Sequence, residues 1–383
     1  MFELNEEQRL LKSAVREFVE KEVIPISKEI DQKDEVPKKL IQKIVDLGLI
    51  GMIIPEKYGG GGTSYRDYVI AVEEISRGLS ALGTILSVQN TLYGLSILEF
   101  GTEEQKEEYL PPLCSGKKFG CFAITEPEAG SDIASITTRA RKEGNYYILN
   151  GRKEFITMAN VADVAIVFAK TDPSAGHRGI SAFLVKKDSE GFIVEKPYDK
   201  LGGRGVHSCP IVLKDVRVPK EDLLGKEGYG FFQALKILSS GRISVAARSV
   251  GLAQFAFEKS VEYAKNRKQF GKPIAEFQLI RAKIAEMAVK LDAARLLVHR
   301  AAYLKDSGKE YTLEASMAKL FAARVAREIA NEALQIHGGY GYIKEYDVER
   351  IYRDAKMGEI TEGTNEIQIL IIANEILRRS KVT

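Results

Sequence analysis

The chain has 383 residues, of which 45% are hydrophobic and 28% are charged, as in a globular protein rather than a disordered one. Its length exceeds one ordinary core and favours two or three domains. The 56 basic and 53 acidic residues leave a net charge of +3, which provides no broad positive field for nucleic acid. We therefore expect no nucleic-acid partner.

Neither a membrane span nor a targeting segment is visible in the sequence. The longest apolar runs, such as 367–372, are far shorter than the roughly 20 residues that cross a bilayer. The first seven residues are acidic where a signal or transit peptide would be basic. We expect no membrane insertion and a cytoplasmic protein of a prokaryote, although a processed protein of the mitochondrial matrix would look the same.

The cysteines and histidines do not have the spacing of a metal site. Three cysteines and four histidines are scattered along the chain, without paired or metal-ligand spacing. We expect reduced structural thiols and no metal, and a Ser/His/Asp hydrolase is equally unsupported.

The first third of the chain has the apolar spacing of helices. Residues 5–23 are predicted to form a helix that Asn5 caps together with Gln8 and that ends before Pro25. The residues of its predicted apolar stripe are Leu11, Ala14, Phe18 and Val19. Helical spacing continues to about residue 115. A run of four glycines at 59–62 indicates a flexible connecting loop, because it lacks the lysine and the strand-to-helix context of a phosphate-binding loop.

Between about residues 117 and 220 the spacing becomes that of strands. Short segments rich in β-branched and aromatic residues are separated by Gly, Asn, Asp and Pro. They are residues 146–149, 164–168, 180–185 and 211–213. The dipeptide Asn150-Gly151 is typical of a tight hairpin turn, and we predict a turn there.

From about residue 228 the helical pattern returns. One predicted bundle helix has an apolar stripe of Ile280, Ile284, Met287, Leu291, Ala294 and Val298. The next has Leu313, Met317, Leu320, Val325 and Ile329, and it ends near Gly338-Gly339. The predicted fold is mainly α with an inserted β domain. Its parts are an N-terminal helical domain (1–116), a small β-barrel-like domain (117–226) and a C-terminal four-helix bundle (227–383).

Near the end of the chain, the segment Thr361-Glu362-Gly363-Thr364 joins a carboxylate directly to a glycine. Glycine lets the backbone pass close to a ligand and tolerates positive φ, so Glu362 is a candidate general base. Locally, Thr364 is also a good cap for a helix that carries Glu366 in its first turn.

Two segments of the β region can bind a flat polar ring. Residues 122–132 begin as a strand and continue as a loop of hydroxyls, small residues and carboxylates. Phe155-Ile156-Thr157 places an aromatic ring and a hydroxyl on one strand. In these segments the chain resembles the acyl-CoA dehydrogenase family, flavoproteins that introduce an α,β double bond into an acyl-CoA thioester. The resemblance covers essentially the whole chain and implies that family's fold, with FAD as cofactor.

The resemblance implies a role for each matching residue of the β region. Phe122, Ile124 and Thr125 would line the flavin, and Ser131 would lie at the flavin phosphate or the CoA edge. Phe155 replaces the family's tryptophan and would stack near the ring without an indole N–H. Thr157 would bond the flavin N5 and O4 region.

The C-terminal segments match the family in the same order. The remaining residues implied at the FAD site are Arg267, Gln269, Phe270, Gln278, Gln335, Gly338, Gly339, Thr364 and Glu366. Arg242 and Gly363 would contact substrate together with Ser131. Some members of the family place the base at the position of Gly241, which has no side chain here, so Glu362 is the only matching base. Thr91 and Leu92 are candidates for the wall of the acyl pocket.

The resemblance also implies partners. Segments around Arg267 and Gln335 complete a neighbouring subunit's site in the family, which implies a homo-oligomer, most simply a tetramer. The expected activity is dehydrogenation of a short, branched or alicyclic acyl-CoA, with an electron-transferring flavoprotein as acceptor. The alternatives are an acyl-CoA oxidase and a non-catalytic assembly protein with a degenerate flavin site.

Overall fold

The structure is a computed structural model, and it describes residues 3–379. The first part of the chain is helical, as the sequence predicts. Its helices are α1 (Glu6–Phe18), α2 (Ile24–Lys33), α3 (Lys38–Asp46), α4 (Tyr65–Gly78), α5 (Ser80–Leu86), α6 (Leu95–Phe100) and α7 (Glu103–Cys114), with π-helical turns at Val19–Val23 and Ser87–Gly94.

The predicted end of the first helix before Pro25 is wrong. Asn5 and Gln8 form the predicted capping box, but the helical path continues through the π-helical turn into α2. Pro25 lies in the first turn of α2, where a missing N–H is tolerated. Ala14 is exposed and Val15 is buried instead, because residues 11, 15, 18 and 19 share the face that packs on the core.

The predicted small β unit is one sheet with the order β6-β7-β3-β2-β4-β5-β8, and β1 pairs in parallel with β4. The strands are β1 (Gly120–Ala123), β2 (Arg139–Glu143), β3 (Tyr146–Thr157), β4 (Val164–Lys170), β5 (Ile180–Lys186), β6 (Phe192–Val194), β7 (Ser208–Pro219) and β8 (Leu223–Leu224). This sheet has a hydrophobic core of its own.

The predicted hairpin turn at Asn150-Gly151 is wrong, because β3 continues through both residues. Gly144, with φ +58°, lies in the turn between β2 and β3 instead. Asn150 exchanges two hydrogen bonds of 2.9 Å with Asp215. A Cβ on Gly151 would lie 2.3 Å from the Thr138 hydroxyl, so close packing explains this glycine.

The last part of the chain is the predicted helical bundle. Its helices are α8 (Gly230–Asn266), α9 (Gln278–Asp306), α10 (Thr312–His337), α11 (Asp347–Ala355) and α12 (Asn365–Arg379), and the short strands β9 (Lys268–Gln269) and β10 (Lys272–Pro273) connect α8 to α9. Helix α10 contacts α8, α9 and α12. The predicted apolar stripe of α9 faces the core, and α10 ends at Gly338 with φ +59°, as predicted.

One buried core joins the first and last helical regions, where α4 packs against α8 and α9. The continuous helical stretch Ser80–Phe100 has the length and mean hydropathy (1.2) of a membrane span, but 83% of its apolar window is buried inside the protein. We interpret it as a core helix. The four glycines at 59–62 lie in a loop whose N–H groups bond to the preceding turn, so the loop is more ordered than predicted.

Candidate active site

Glu362 lies in a short loop between α11 and α12 with two successive positive φ angles, +53° at Glu362 and +92° at Gly363. The left-handed region is unfavourable for a residue with a Cβ, so the surrounding structure must hold this loop. The Thr364 hydroxyl caps α12 by accepting from the N–H of Ile367 at 3.3 Å. Glu366 follows in the first turn and is exposed. The predicted helix start is confirmed.

The Glu362 carboxylate points into the contact between the first and last helical regions. A Cβ built on Gly241 of α8 would lie only 1.7 Å from Oε2, so the carboxylate occupies the space that the glycine leaves open. Oε1 accepts a long hydrogen bond of 3.4 Å from the Ser87 hydroxyl. Oε2 is buried and has no hydrogen-bond partner in the described residues. A buried carboxylate oxygen without a donor is costly and is typical of a reactive group.

Burial raises the pKa of Glu362 to about 7, because the surroundings disfavour its charged form. The positive charges of Arg248, Arg242 and Lys319 act in the opposite direction. At neutral pH the carboxyl therefore exists in both protonation states, which suits a group that exchanges protons.

The predicted substrate residue Arg242 is buried beside this site. Its Nη1 donates to the Ser239 hydroxyl at 3.2 Å, and its Nε has no partner in the described residues. Its positive charge acts on the Glu362 carboxylate. Of the predicted wall residues, Thr91 is buried and donates to the carbonyl of Ser87, and Leu92 is half-buried.

Sequence reasoning missed two buried cations near Glu362. Arg248 donates to the hydroxyls of Thr84 at 2.8 Å and Thr361 at 3.4 Å. Lys319 of α10 donates to the carbonyl of Gly363 at 2.7 Å. The available signal was weak: each is a basic residue on an otherwise small or apolar face of its helix.

Three predicted flavin residues of the β domain, Thr125, Phe155 and Thr157, lie in or next to a β-bulge in β3. The bulge lies between Lys153 and Ile156, and Phe155 within it has φ +58° and is 64% exposed. The N–H of Glu154 donates to the carbonyl of Thr125 at 2.8 Å, which joins the two predicted segments. Thr125 and Thr157 are half-buried.

A buried ion pair that the sequence did not reveal fixes the loop after β1. Nζ of Lys153 lies 2.7 Å from Glu126 and 3.2 Å from the carbonyl of Ile124. Burial lowers the pKa of Lys153 to about 8, and the nearby Glu126 opposes this. Glu126 also accepts from the N–H groups of Thr137 and Thr138. These bonds tie the loop after β1 to β3 and to the segment that precedes β2.

The other predicted flavin residues of the β domain differ in exposure. Phe122 is buried against Phe168, with ring centroids 4.8 Å apart, so its ring belongs to the core. Ile124 is also buried. Ser131 lies in the exposed loop that follows. Of these three side chains, Ser131 alone is freely accessible from solvent.

A groove on the C-terminal bundle gathers four predicted FAD residues. Its volume is about 440 Å³, and Arg267, Gln269, Gly338 and Gly339 line it together with six further residues. A Cβ on either glycine would meet nothing within 4 Å, so both leave open space for a ligand. An arginine and open backbone fit a dinucleotide's phosphate and adenosine half.

Three predicted residues lie outside the lining of this groove. Gln278 and Gln335 are exposed. Phe270 is 93% exposed, has φ +51° and lies 6.0 Å from the ring of Phe277. Within residues 3–379, no hydrogen bond or ion pair connects the groove to the flavin residues of β3.

The described residues contain no group of three or more His, Cys, Asp or Glu side chains that could hold a metal ion. The three cysteines are free and buried. A second cavity, of about 390 Å³, lies among charged side chains that include Asp31, Lys200 and Arg353, and it contains none of the predicted site residues.

Three family models match the chain in succession. They describe the acyl-CoA dehydrogenase N-terminal domain (residues 5–117), middle domain (121–216) and C-terminal domain (228–377). The chain belongs to the acyl-CoA dehydrogenase family. It is an FAD-dependent oxidoreductase that acts on acyl-CoA thioesters, and the predicted fold class, cofactor and activity are confirmed.

Relatives in this family match the enzyme over nearly its whole length. The 3-(aryl)acrylate reductase of Clostridium sporogenes is 50% identical, over 97% of this chain and 99% of that protein. The CarC subunit of the caffeyl-CoA reductase-Etf complex of Acetobacterium woodii is 47% identical, over 98% and 99%. The structure of butyryl-CoA dehydrogenase from Megasphaera elsdenii matches with a TM-score of 0.96 at 43% identity, over 98% and 100%.

Proposed function

We propose that the enzyme dehydrogenates a short, branched or alicyclic acyl-CoA with Glu362 as its general base. The observation that carries this proposal is the buried, unpaired Oε2 of Glu362, lodged against Gly241. Ionised Glu362 removes a proton from the α-carbon of the thioester. Because its pKa is near neutrality, the carboxylate is both available and basic enough to do so.

An α-proton is too weakly acidic for a carboxylate alone, so the site must also stabilise the enolate. No residue between 3 and 379 accepts from the backbone N–H of Glu362, which leaves this donor available to the thioester carbonyl. One such donor contributes roughly 3 kcal/mol to the transition state. Arg242 and Gly363 complete the proposed substrate contacts, with Ser131 at the CoA edge.

Bound FAD would accept the hydride that leaves the β-carbon. Thr125, Phe155 and Thr157 would hold the flavin, with Phe122 and Ile124 behind it. Lys153 ties this loop to the strand through the carbonyl of Ile124 and the carboxylate of Glu126. The groove around Arg267 would hold the pyrophosphate and adenosine half. The other proposed contacts along the cofactor are Gln269, Phe270, Gln278, Gln335, Gly338, Gly339, Thr364 and Glu366.

We propose that the cofactor is shared between subunits of a homotetramer. The resemblance of the segments around Arg267 and Gln335 to those that complete a neighbouring subunit's site in the family supports this arrangement. So do exposed apolar side chains on the bundle, such as Phe270, Leu279 and Val289, because monomers rarely expose such surfaces. The proposed domain boundaries, 1–116, 117–226 and 227–383, fall in the connections before β1 and before α8. We propose a cytoplasmic location.

The proposed electron acceptor is an electron-transferring flavoprotein, since the relative from Acetobacterium woodii is a subunit of a complex with Etf. A second candidate function is the reverse reaction, reduction of an aryl-substituted 2-enoyl-CoA. Two of the three relatives described above, those from Clostridium sporogenes and Acetobacterium woodii, are named for reductase activities. A carboxyl with a pKa of about 7 can give a proton to the α-carbon as readily as it can take one.

Anaerobic mixing of the oxidised enzyme with a panel of acyl-CoA thioesters tests the main proposal. We expect butyryl-CoA or a branched analogue to bleach the flavin rapidly. In a parallel experiment, chemically reduced enzyme is mixed with an arylacrylyl-CoA. Rapid reoxidation there, with no bleaching by any saturated thioester, would select the reductase function. Turnover in air that equals turnover with a flavoprotein acceptor would select an oxidase.

A further inference from the structure

Lys319 is fully buried in the middle of α10. Its neighbours on the same helix face are the small buried side chains of Ala315, Ser316, Ala322, Ala323 and Ala326. Burying an ammonium group is costly unless it is paired. Among residues 3–379, no carboxylate forms an ion pair with it; its Nζ donates to two neutral oxygens instead. An apolar side chain would pack here at lower cost, so a structural role alone does not explain the lysine.

One oxygen belongs to the loop that carries Glu362, and the other belongs to the first residue of α12. Nζ of Lys319 lies 2.7 Å from the carbonyl of Gly363 and 3.2 Å from Oδ1 of Asn365. The amide of Gln368 donates to the same Gly363 carbonyl at 3.0 Å. Two donors on one carbonyl therefore fix the peptide group directly after the proposed base.

This loop needs such a constraint. Glu362 and Gly363 both have positive φ, and a glutamate in that region is strained by about 1 kcal/mol or more relative to its ordinary conformations. If the Gly363 carbonyl were released, the loop could relax and turn the carboxylate away from Gly241. We propose that Lys319 is a positioning residue for the proposed base Glu362, holding its loop through the Gly363 carbonyl. This inference rests on the proposed function of Glu362.

The charge of Lys319 should also act on Glu362 directly. The titratable groups that face Glu362 are Tyr65 and Tyr68 of α4, Arg242 and Arg248 of α8, and Lys319 of α10. Burial raises the pKa of Glu362, and the three cations oppose it. Burial lowers the pKa of Lys319 to about 8, so the group is still mostly charged at pH 7. Its removal should make Glu362 harder to ionise.

Lys319→Met tests both effects, because methionine is apolar and of similar length. We expect kcat to fall by about 10–100-fold, as for a displaced catalytic group. The acid limb of kcat/KM should move upward by about one pH unit, since one nearby positive charge is lost. FAD content should be unchanged. Lys319→Arg keeps the charge, so the acid limb should return while kcat recovers only in part.

Gln368→Leu removes the other donor to the Gly363 carbonyl and no charge. We expect kcat to fall and the acid limb to stay in place. Lys283→Met is the matched control, because Lys283 of α9 binds Glu332 on the bundle surface. Neither kcat nor the acid limb of kcat/KM should change in this variant.

If Lys319→Met has the kcat of the wild type and the same acid limb of kcat/KM, the inference is overturned. If that variant does not fold, wild-type kcat in Gln368→Leu or in Lys319→Arg would overturn the loop-holding role. Glu362→Gln is measured in parallel. Full activity of Glu362→Gln would refute the base assignment itself, whereas an inactive Glu362→Gln beside a fully active Lys319→Met would refute only the role of Lys319.

Discussion

Gly241→Ala should reduce catalysis while leaving the fold intact. The added Cβ would lie 1.7 Å from Oε2 of Glu362, and real Cβ contacts essentially never fall below 3.0 Å. The carboxylate must therefore move by about 1.3 Å. A displacement of about 1 Å costs on the order of 10²-fold in rate, and we expect that loss in kcat.

The stability of Gly241→Ala should change by less than about 1 kcal/mol. Alanine is a better helix former than glycine by about 1 kcal/mol. The atom it displaces is the end of a flexible side chain, so no backbone has to move. Gly251→Ala, ten positions further along α8, should behave in the opposite way. Its Cβ would lie 2.2 Å from the backbone carbonyl of Glu73, which cannot yield cheaply, and we expect about 1–3 kcal/mol of destabilisation.

Rapid mixing with a good substrate measures flavin reduction in both variants, and thermal unfolding measures their stability. The activity of Gly251→Ala per folded, FAD-loaded subunit should stay near wild type. A Gly241→Ala enzyme that reduces its flavin within threefold of the wild-type rate would refute the placement of the Glu362 carboxylate, or its role as the base.

Glu362→Gln should lower turnover by about 10²–10⁴-fold while FAD and acyl-CoA still bind, which flavin absorbance with and without substrate will measure; an unchanged bleaching rate would place the base elsewhere. Because burial raises the pKa of Glu362 to about 7 and the ionised form is the base, kcat/KM should fall about tenfold per pH unit below that value, and a flat profile down to pH 5.5 would contradict the assignment. Arg267→Ala should weaken FAD retention, which ultrafiltration measures. Arg281→Ala, a change in the neighbouring helix α9, serves as the control. A wild-type monomer that is saturated with FAD and active would contradict the shared site.

The local features of the site could be predicted from sequence. The joined carboxylate and glycine of Glu362-Gly363 indicated a special backbone, and both residues have positive φ. The cap at Thr364 and the stripe of α9 follow from spacing alone, because a helix repeats every 3.6 residues. These features depend only on residues that are close together in the chain, so they can be predicted from the sequence.

The long-range features could not be predicted in this way. Lys319 and Gly363 are 44 residues apart, and Arg248 and Thr361 are 113 apart, so no local pattern marks either pair. The hairpin turn predicted at Asn150-Gly151 is wrong for the same reason. Its local preference is for a turn, but pairing with Asp215 on β7 and contact with Thr138 keep the segment in a strand. Tertiary contacts override a dipeptide preference.

The burial of Glu362 lowers the free energy of unfolding at neutral pH. Since the pKa of Glu362 is raised from 4.5 to about 7, the folded state favours the protonated form, and ionisation costs it about 3 kcal/mol. That cost is absent below pH 4.5, grows as the pH rises and is complete above pH 7. The proposed base is ionised, and so able to take a proton, only where this cost is present. Left-handed backbone adds to it. The pKa of about 7 already includes the opposing charges of Arg248, Arg242 and Lys319, which are buried cations where an ordinary core would have apolar side chains.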